Sequence, residues 1–460
     1  MSRSFAEAEF SQAPWITWLG DDFTGSAAVM EALAFSGVPA VLFTQMPSAE
    51  LLERFSHCRG IGLATTARSH TPQWMEAELP GLFEFLDRLG APLLHYKICS
   101  TFDSSPAIGS IGKAAEIALS TIPSQVVPMV TAAPQMRRYQ AFGHLFASTY
   151  DGVWRIDRHP VMSRHPVTPI ADSDLLRHLS LQTKLQSGLI DLEALGGDAQ
   201  QRLEELVDKG CRIVSIDSMD AKSEEAAGRL IWENRERAGL VLGSQGVEYA
   251  LVRHWKRLGL LDEAPEPTGA GKVDRVAAVS GSVSPMTAAQ LGRAEKDGFY
   301  LLAMDAGRLL GSQAEREAEE QRLVSEAVSA AEAGQSPLVY SAAGPDDPAV
   351  ERFRNAVADR GFDTDEANEI VGTSLGRILD AILTHTRIRR AIISGGDTSG
   401  HALKALKLGA LVALAPTIPG AALNKAYGDG AHDGLQIALK GGQMGTEDFF
   451  SWVRDGGGPR

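Results

Sequence analysis

Cysteine is scarce: Cys58, Cys99 and Cys211 stand far apart in a chain of 460 residues. That excludes a disulfide scaffold and a zinc knuckle, and it fits a reducing compartment. Basic charge is in deficit too, with 44 Lys and Arg against 58 Asp and Glu for a formal charge of -14. The chain is therefore no basic nucleic-acid module. The longest charge-free apolar stretch, residues 408–423, is broken by Pro416 and Pro419 and falls short of the roughly 20 residues of a bilayer span. Glu7 and Glu9 precede any apolar run, which is not the order of a secretory signal. Low-complexity tracts and fixed-period repeats are also missing. The expectation is a soluble, cytoplasmic protein without membrane or nucleic-acid partners. Its acidity means that an anionic ligand must be held by local donors.

What is present is an ordinary globular composition, 44% hydrophobic and 22% charged, with length for two or three domains. Short β-rich runs alternate with longer helical patterns throughout, the mark of α/β layering around mostly parallel sheets. Strands are expected at residues 15–19, 40–43, 61–64, 93–98, 126–130, 213–216 and 240–242, then at 276–279, 338–340, 391–393, 411–414 and 435–439. A surface helix is expected over 314–333. Pro, Gly and charge replace periodic apolar positions at 263–271. This predicts a first domain over 1–262, a linker over 263–272 and a second domain over 273–460.

Function is sought in the loops at strand ends. After the first strand come Asp21, Asp22, Phe23, Thr24 and Gly25. Paired carboxylates there can bind a cation, accept bonds from a polyol or take a hydroxyl proton, while a single Asp would equally serve as a helix cap. Lys97, Ser100 and Thr101 follow another strand and suit a carboxylate or phosphate. Arg137 and Arg138 form a basic pair that could fork onto a carboxylate or simply be solvated. His159 and His165 sit in the Pro-rich segment beyond.

The second half carries three Gly/Ser turns at strand ends: Ser280-Gly281-Ser282, Gly395-Gly396-Asp397-Thr398, and Lys440-Gly441-Gly442. Ser284 reads as a helix cap with Pro285 at the first helical position. Glycines bring backbone close to a ligand, and helix N-termini carry partial positive charge, so a phosphate chain fits such turns. Three of them on one sheet describe the nucleotide crevice of a doubly wound domain. Two other patterns fail on context. Gly112-Lys113 lacks the first glycine and the Ser/Thr of a P-loop, with Ala107 and Ala114 in those places. Gly372-Thr373-Ser374-Leu375-Gly376 matches a hydrolase elbow, but the charged segment 363–369 before it is no strand.

In order along the chain, Asp21 to Gly25, Lys97 with Ser100-Thr101, Pro134 with Arg138, His165 to Pro169, Gly243 to Gly246, Ser280 to Ser282, Gly395 to Thr398, Pro419-Gly420 and Lys440 to Gly442 resemble the four-carbon acid sugar kinase family. The resemblance implies an N-terminal domain that binds a sugar acid, a C-terminal domain that binds ATP, and phosphoryl transfer across the cleft between them. The acceptor would be the terminal hydroxyl of a tetronate, a 3-oxo-tetronate or a branched relative such as 3-oxo-isoapionate. By position, Asp21, Asp22, Thr24, Lys97, Ser100, Thr101 and Arg138 would face the sugar acid. Ser282, Gly395, Gly396, Asp397, Thr398, Gly441 and Gly442 would face ATP. Asp22 is expected to act on the attacking hydroxyl as base or orienter, with Asp397 its rival, and Mg2+ to accompany the phosphates. A homodimer is among the assemblies left open.

Two departures fall on the substrate half. Ala28 stands where the family pattern has a further Asp, and Asp103-Ser104 where it has Arg-Gly, which would remove a bidentate anion contact. Other classes remain open on sequence: a non-catalytic sugar-acid or nucleotide sensor, and a serine hydrolase using Ser374.

Overall fold

The computed structural model describes residues 13–149, 152–165 and 167–460; the Asp397 side chain lies outside the described part. The chain divides into two compact units, one formed by residues up to Met46 with Glu53–Pro265, the other by Pro47–Leu52 with Glu266–Arg460. Both are α/β.

In the first unit the strands are β1 (Ile16–Gly20), β2 (Ala40–Phe43), β3 (Gly60–Ala64), β4 (Leu94–Lys97), β5 (Val127–Val130), β9 (Ser187–Ile190), β10 (Ile213–Ile216) and β11 (Leu240–Gly243). They pair in parallel in the order β2-β3-β1-β4-β11-β5-β10-β9. Every residue of β1, β3, β4, β10 and β11 is buried, because helices cover both faces of a parallel sheet and its strands become continuous apolar runs. Strand pairing opposes Trp18 to Gly62; a Cβ on Gly62 would lie 1.9 Å from the indole, so the missing side chain is what admits the ring. Flanking helices include α1 (Phe23–Ala34), α2 (Pro72–Asp87), α3 (Ile111–Thr121), α4 (Ala221–Glu233) and α5 (Gly246–Arg257). A separate antiparallel sheet, β6 (Arg138–Ala141), β7 (His144–Thr149) and β8 (Gly152–Arg155), branches off after β5.

The second unit holds β12 (Ala277–Ser280), β13 (Phe299–Ala303), β14 (Ser336–Tyr340), β15 (Arg390–Ser394), β16 (Leu408–Ala415), β17 (Leu423–Gly428) and β18 (Gln436–Lys440), in the order β13-β14-β12-β15-β18-β17-β16. Pairing is parallel from β13 to β18 and antiparallel beyond. Its helices include α6 (Pro285–Lys296), α7 (Gln313–Glu332), α8 (Thr364–Thr386) and α9 (Gly396–Ala405). The helix expected at the surface, α7, does lie there, most of its residues exposed or half-buried, and it packs one face inward through Glu319, Leu323, Ala327 and Ala331. Its exposed Glu and Arg residues masked that stripe.

Candidate active site

In the first unit, β1 delivers Asp21 and Asp22 to the C-terminal edge of the sheet, beside the end of β4, where Gly20 is paired with Lys97. Asp22 caps α1: it accepts from the Gly25 amide at 2.9 Å and the Thr24 hydroxyl at 2.6 Å. The capping role is therefore real, and it leaves the carboxylate fixed rather than idle. Arg68, just past β3, donates through Nε and Nη2 to Asp21 at 3.1 and 2.6 Å, and through Nη2 to Asp22 at 2.8 Å. Lys97 is buried, with Nζ on the Ile98 carbonyl at 2.8 Å. A Cβ on Gly25 would fall 2.5 Å from that Nζ and 2.3 Å from Asp22 Oδ1, so glycine is what lets ammonium and carboxylate share the space.

Two carboxylates thus meet two fixed cations. Burial pushes Asp21 above the usual carboxylate range, with the charge of Asp22 adding to it and Arg68 opposing. Burial also works upward on Asp22, but Arg68, Lys97 and the bonds from Thr24 and Gly25 prevail and hold it below the usual range. Burial disfavours the Arg68 charge, yet Asp21 and Asp22 drive its pKa well above normal. Arg68 has no place in the sequence reading. It stands in a short 3-10 turn, Ala67–Ser69, without a motif around it, and only its position after a strand end could have flagged it.

The loop after β4 holds Ser100, half-buried, and Thr101, whose hydroxyl contacts the Cys99 thiol at 3.1 Å. Arg138 starts β6 with Nη1 on the carbonyls of Met136 at 3.1 Å and Ser148 at 3.3 Å, while its buried Nε has no partner. Burial, and then Arg137, depress its pKa. Cys99 lies within electrostatic range of both Arg68 and Arg138, so the loop brings both guanidiniums near the residues that follow Lys97. Asp103, the departure from the family pattern, accepts from the Thr168 hydroxyl, which also lies 2.8 Å from His165 Nδ1. Pro166 lies outside the described residues. His159 Nδ1 accepts the amides of Val161 and Met162 at 3.2 Å. That bonding shapes its own turn.

In the second unit β12, β15 and β18 lie side by side, with Ser280, Ser394 and Lys440 in register. The three glycine turns leave the same edge and touch. A Cβ on Gly281 would lie 2.2 Å from Thr398 Oγ1, one on Gly395 2.7 Å from the same atom, and one on Gly442 2.3 Å from Ser282 Oγ. Gly395 has φ +131, a conformation that side chains rarely adopt. Gly396 opens α9 and faces open space. Ser284 caps α6 and donates to the Gly442 carbonyl at 2.5 Å. The amides of Ser282, Gly396, Gly442 and Gln443 have no acceptor among the described residues. Unpaired donors gathered at one sheet edge, beside a helix N-terminus, form an anion nest.

The elbow pattern dissolves. Ser374 is buried in the middle of α8, where no nucleophile could be reached. Its glycines serve packing: a Cβ on Gly372 or Gly376 would meet His401 at 2.7 Å and Ala402 at 2.9 Å, so they let α8 lie close against α9. The cavity of about 320 Å3 lined by Thr17, Leu94, Arg235 and Gly239 sits at the N-terminal ends of β1, β4 and β11, away from these turns. Among the described residues no helix is long and apolar enough to cross a membrane.

Comparison with known proteins agrees with this division. A sugar-binding N-terminal domain family matches residues 16–251, and a nucleotide-binding C-terminal domain family matches 277–450. A 3-oxo-isoapionate kinase of Paraburkholderia graminis is 45% identical over 444 residues, 96% of this chain and 94% of its own. A 3-oxo-tetronate kinase of Pseudomonas fluorescens is 29% identical over 450 residues, 95% and 96% of the two chains. A crystal structure from Salmonella typhimurium LT2, named a putative tRNA synthase, aligns with TM-score 0.76 at 26% identity, covering 95% of this chain and 98% of that one.

Proposed function

Since this chain belongs to the four-carbon acid sugar kinase family and is a sugar-acid kinase, we propose that it moves the γ-phosphoryl group of ATP to a terminal hydroxyl of a branched 3-oxo acid of the 3-oxo-isoapionate kind. The observation that carries the substrate choice is the 45% identity to a 3-oxo-isoapionate kinase against 29% to a 3-oxo-tetronate kinase. The Asp103 departure supports it: a carboxylate in place of a guanidinium withdraws an anion contact and offers an acceptor for an additional hydroxyl.

In this reading Lys97 and Arg138 hold the substrate carboxylate and Asp22 orients the attacking hydroxyl. The turns at Ser282, Gly395 to Thr398 and Gly441-Gly442 receive the phosphates. Phosphoryl transfer needs chiefly alignment and charge neutralisation, which suits fixed charges and free amides. Magnesium supplied with ATP would offset charge on the phosphates. Asp21 and Asp22 do not fit as its ligands, because Arg68 already takes both oxygens of Asp21 and Oδ1 of Asp22, while Thr24 takes Asp22 Oδ2. Among the described residues no group of three or more His, Cys, Asp or Glu offers a cage. Coupled ADP release with ATP, across tetronates, 3-oxo-tetronates and branched 3-oxo acids, tests the proposal. The branched 3-oxo acid should show the highest kcat/KM, and a higher value for an unbranched tetronate would refute the substrate class.

A further inference from the structure

Lys440 closes β18 and is fully buried. No carboxylate among the described residues pairs with it; Nζ donates to the carbonyls of Gly441 at 3.1 Å and Gly442 at 3.4 Å. The Gly442 carbonyl also accepts from Ser284 at 2.5 Å and Thr287 at 3.2 Å, so three donors converge on one oxygen. In a trans peptide the C=O and the next N–H point opposite ways. Drawing these two carbonyls inward therefore turns the amides of Gly442 and Gln443 outward, and both lack an acceptor among the described residues.

The ammonium is costly where it stands, since burial without a counter-charge disfavours a cation. Burial alone lowers its pKa, to about 8. Its neighbours in register, Ser394 and Ser280, carry buried hydroxyls without partners, so nothing described beside it quenches the charge. The arrangement makes sense if the balancing anion arrives with a ligand. We propose that Lys440 is a nucleotide-positioning residue, fixing the Gly441-Gly442 turn with its amides outward and supplying the positive charge that the phosphates balance.

This inference rests on the nucleotide reading of the second unit, and calorimetry of ADP binding to the full chain separates the two. Wild type that fails to bind ADP removes that reading, and this inference with it. Wild type that binds, with Lys440→Met binding equally well, removes this inference alone. The expected result is at least about tenfold weaker ADP binding by K440M. The KM for the sugar acid should stay within about twofold and the ligand-free Tm should not fall, because a buried charge has gone. A lower Tm with both KM values raised alike would mark a merely structural lysine and overturn the proposal. Should K440M not fold, wild type decides: near pH 8.5, ADP binding measured in two buffers of different ionisation enthalpy should show proton uptake as phosphate recharges the amine. Zero uptake overturns it.

Discussion

Asp22 is held by an arginine, a hydroxyl and an amide, and each of these favours its ionised form. A group whose pKa lies below the carboxylate range is a weak base, so the service we propose for it toward the substrate hydroxyl is orientation more than proton removal. Because the shift is downward, Asp22 remains charged through neutral and mildly acidic pH. The kcat profile should therefore show no acidic limb from this group above about pH 5. Asp22→Asn should lower kcat by about 10²-fold with a near-normal KM for ATP; unaltered turnover would transfer the role to Asp397. At this scale the sequence was readable where chemistry repeats in a pattern, as in the Asp pair and the Gly-rich turns. It was mute on Arg68, because a lone arginine announces nothing until the fold sets it 46 and 47 positions from its partners.

Among elements, the buried parallel strands were the most legible: residues 40–43 and 213–216 match β2 and β10 end to end. Apolar runs bounded by turns leave little ambiguity when both faces are covered. The expectation omitted β9, whose SGLI sequence alternates between half-buried and buried, along with β13, β17 and the β6–β8 sheet, where exposed or half-buried positions interrupt the run. Helix contacts were equally hidden, since they depend on glycines with no local signature. Gly228 of α4 is one: a Cβ there would lie 1.9 Å from the Ala250 carbonyl of α5. Gly228→Ala should push the helices apart and cost about 1–3 kcal/mol, read as a lower urea midpoint at constant slope. An unchanged midpoint would mean the pair slides without loss.

For the whole molecule, the α/β class was plain from the alternation of strand and helix patterns. Differential scanning calorimetry should show ADP and the sugar acid each stabilising the chain, by about 2.7 kcal/mol at a hundredfold excess over Kd. A transition that neither ligand moves would refute binding of both. The substrate could not be read from the chain, because selectivity among small hydroxy acids rests on a few side chains that a fold draws from distant stretches.

The guanidinium lodged between Asp21 and Asp22 has one more consequence. It occupies the place where a stray divalent ion would otherwise be chelated, so calcium or manganese should not poison the acceptor end. Titrated against such metals, the enzyme should respond only as far as they compete for the nucleotide itself.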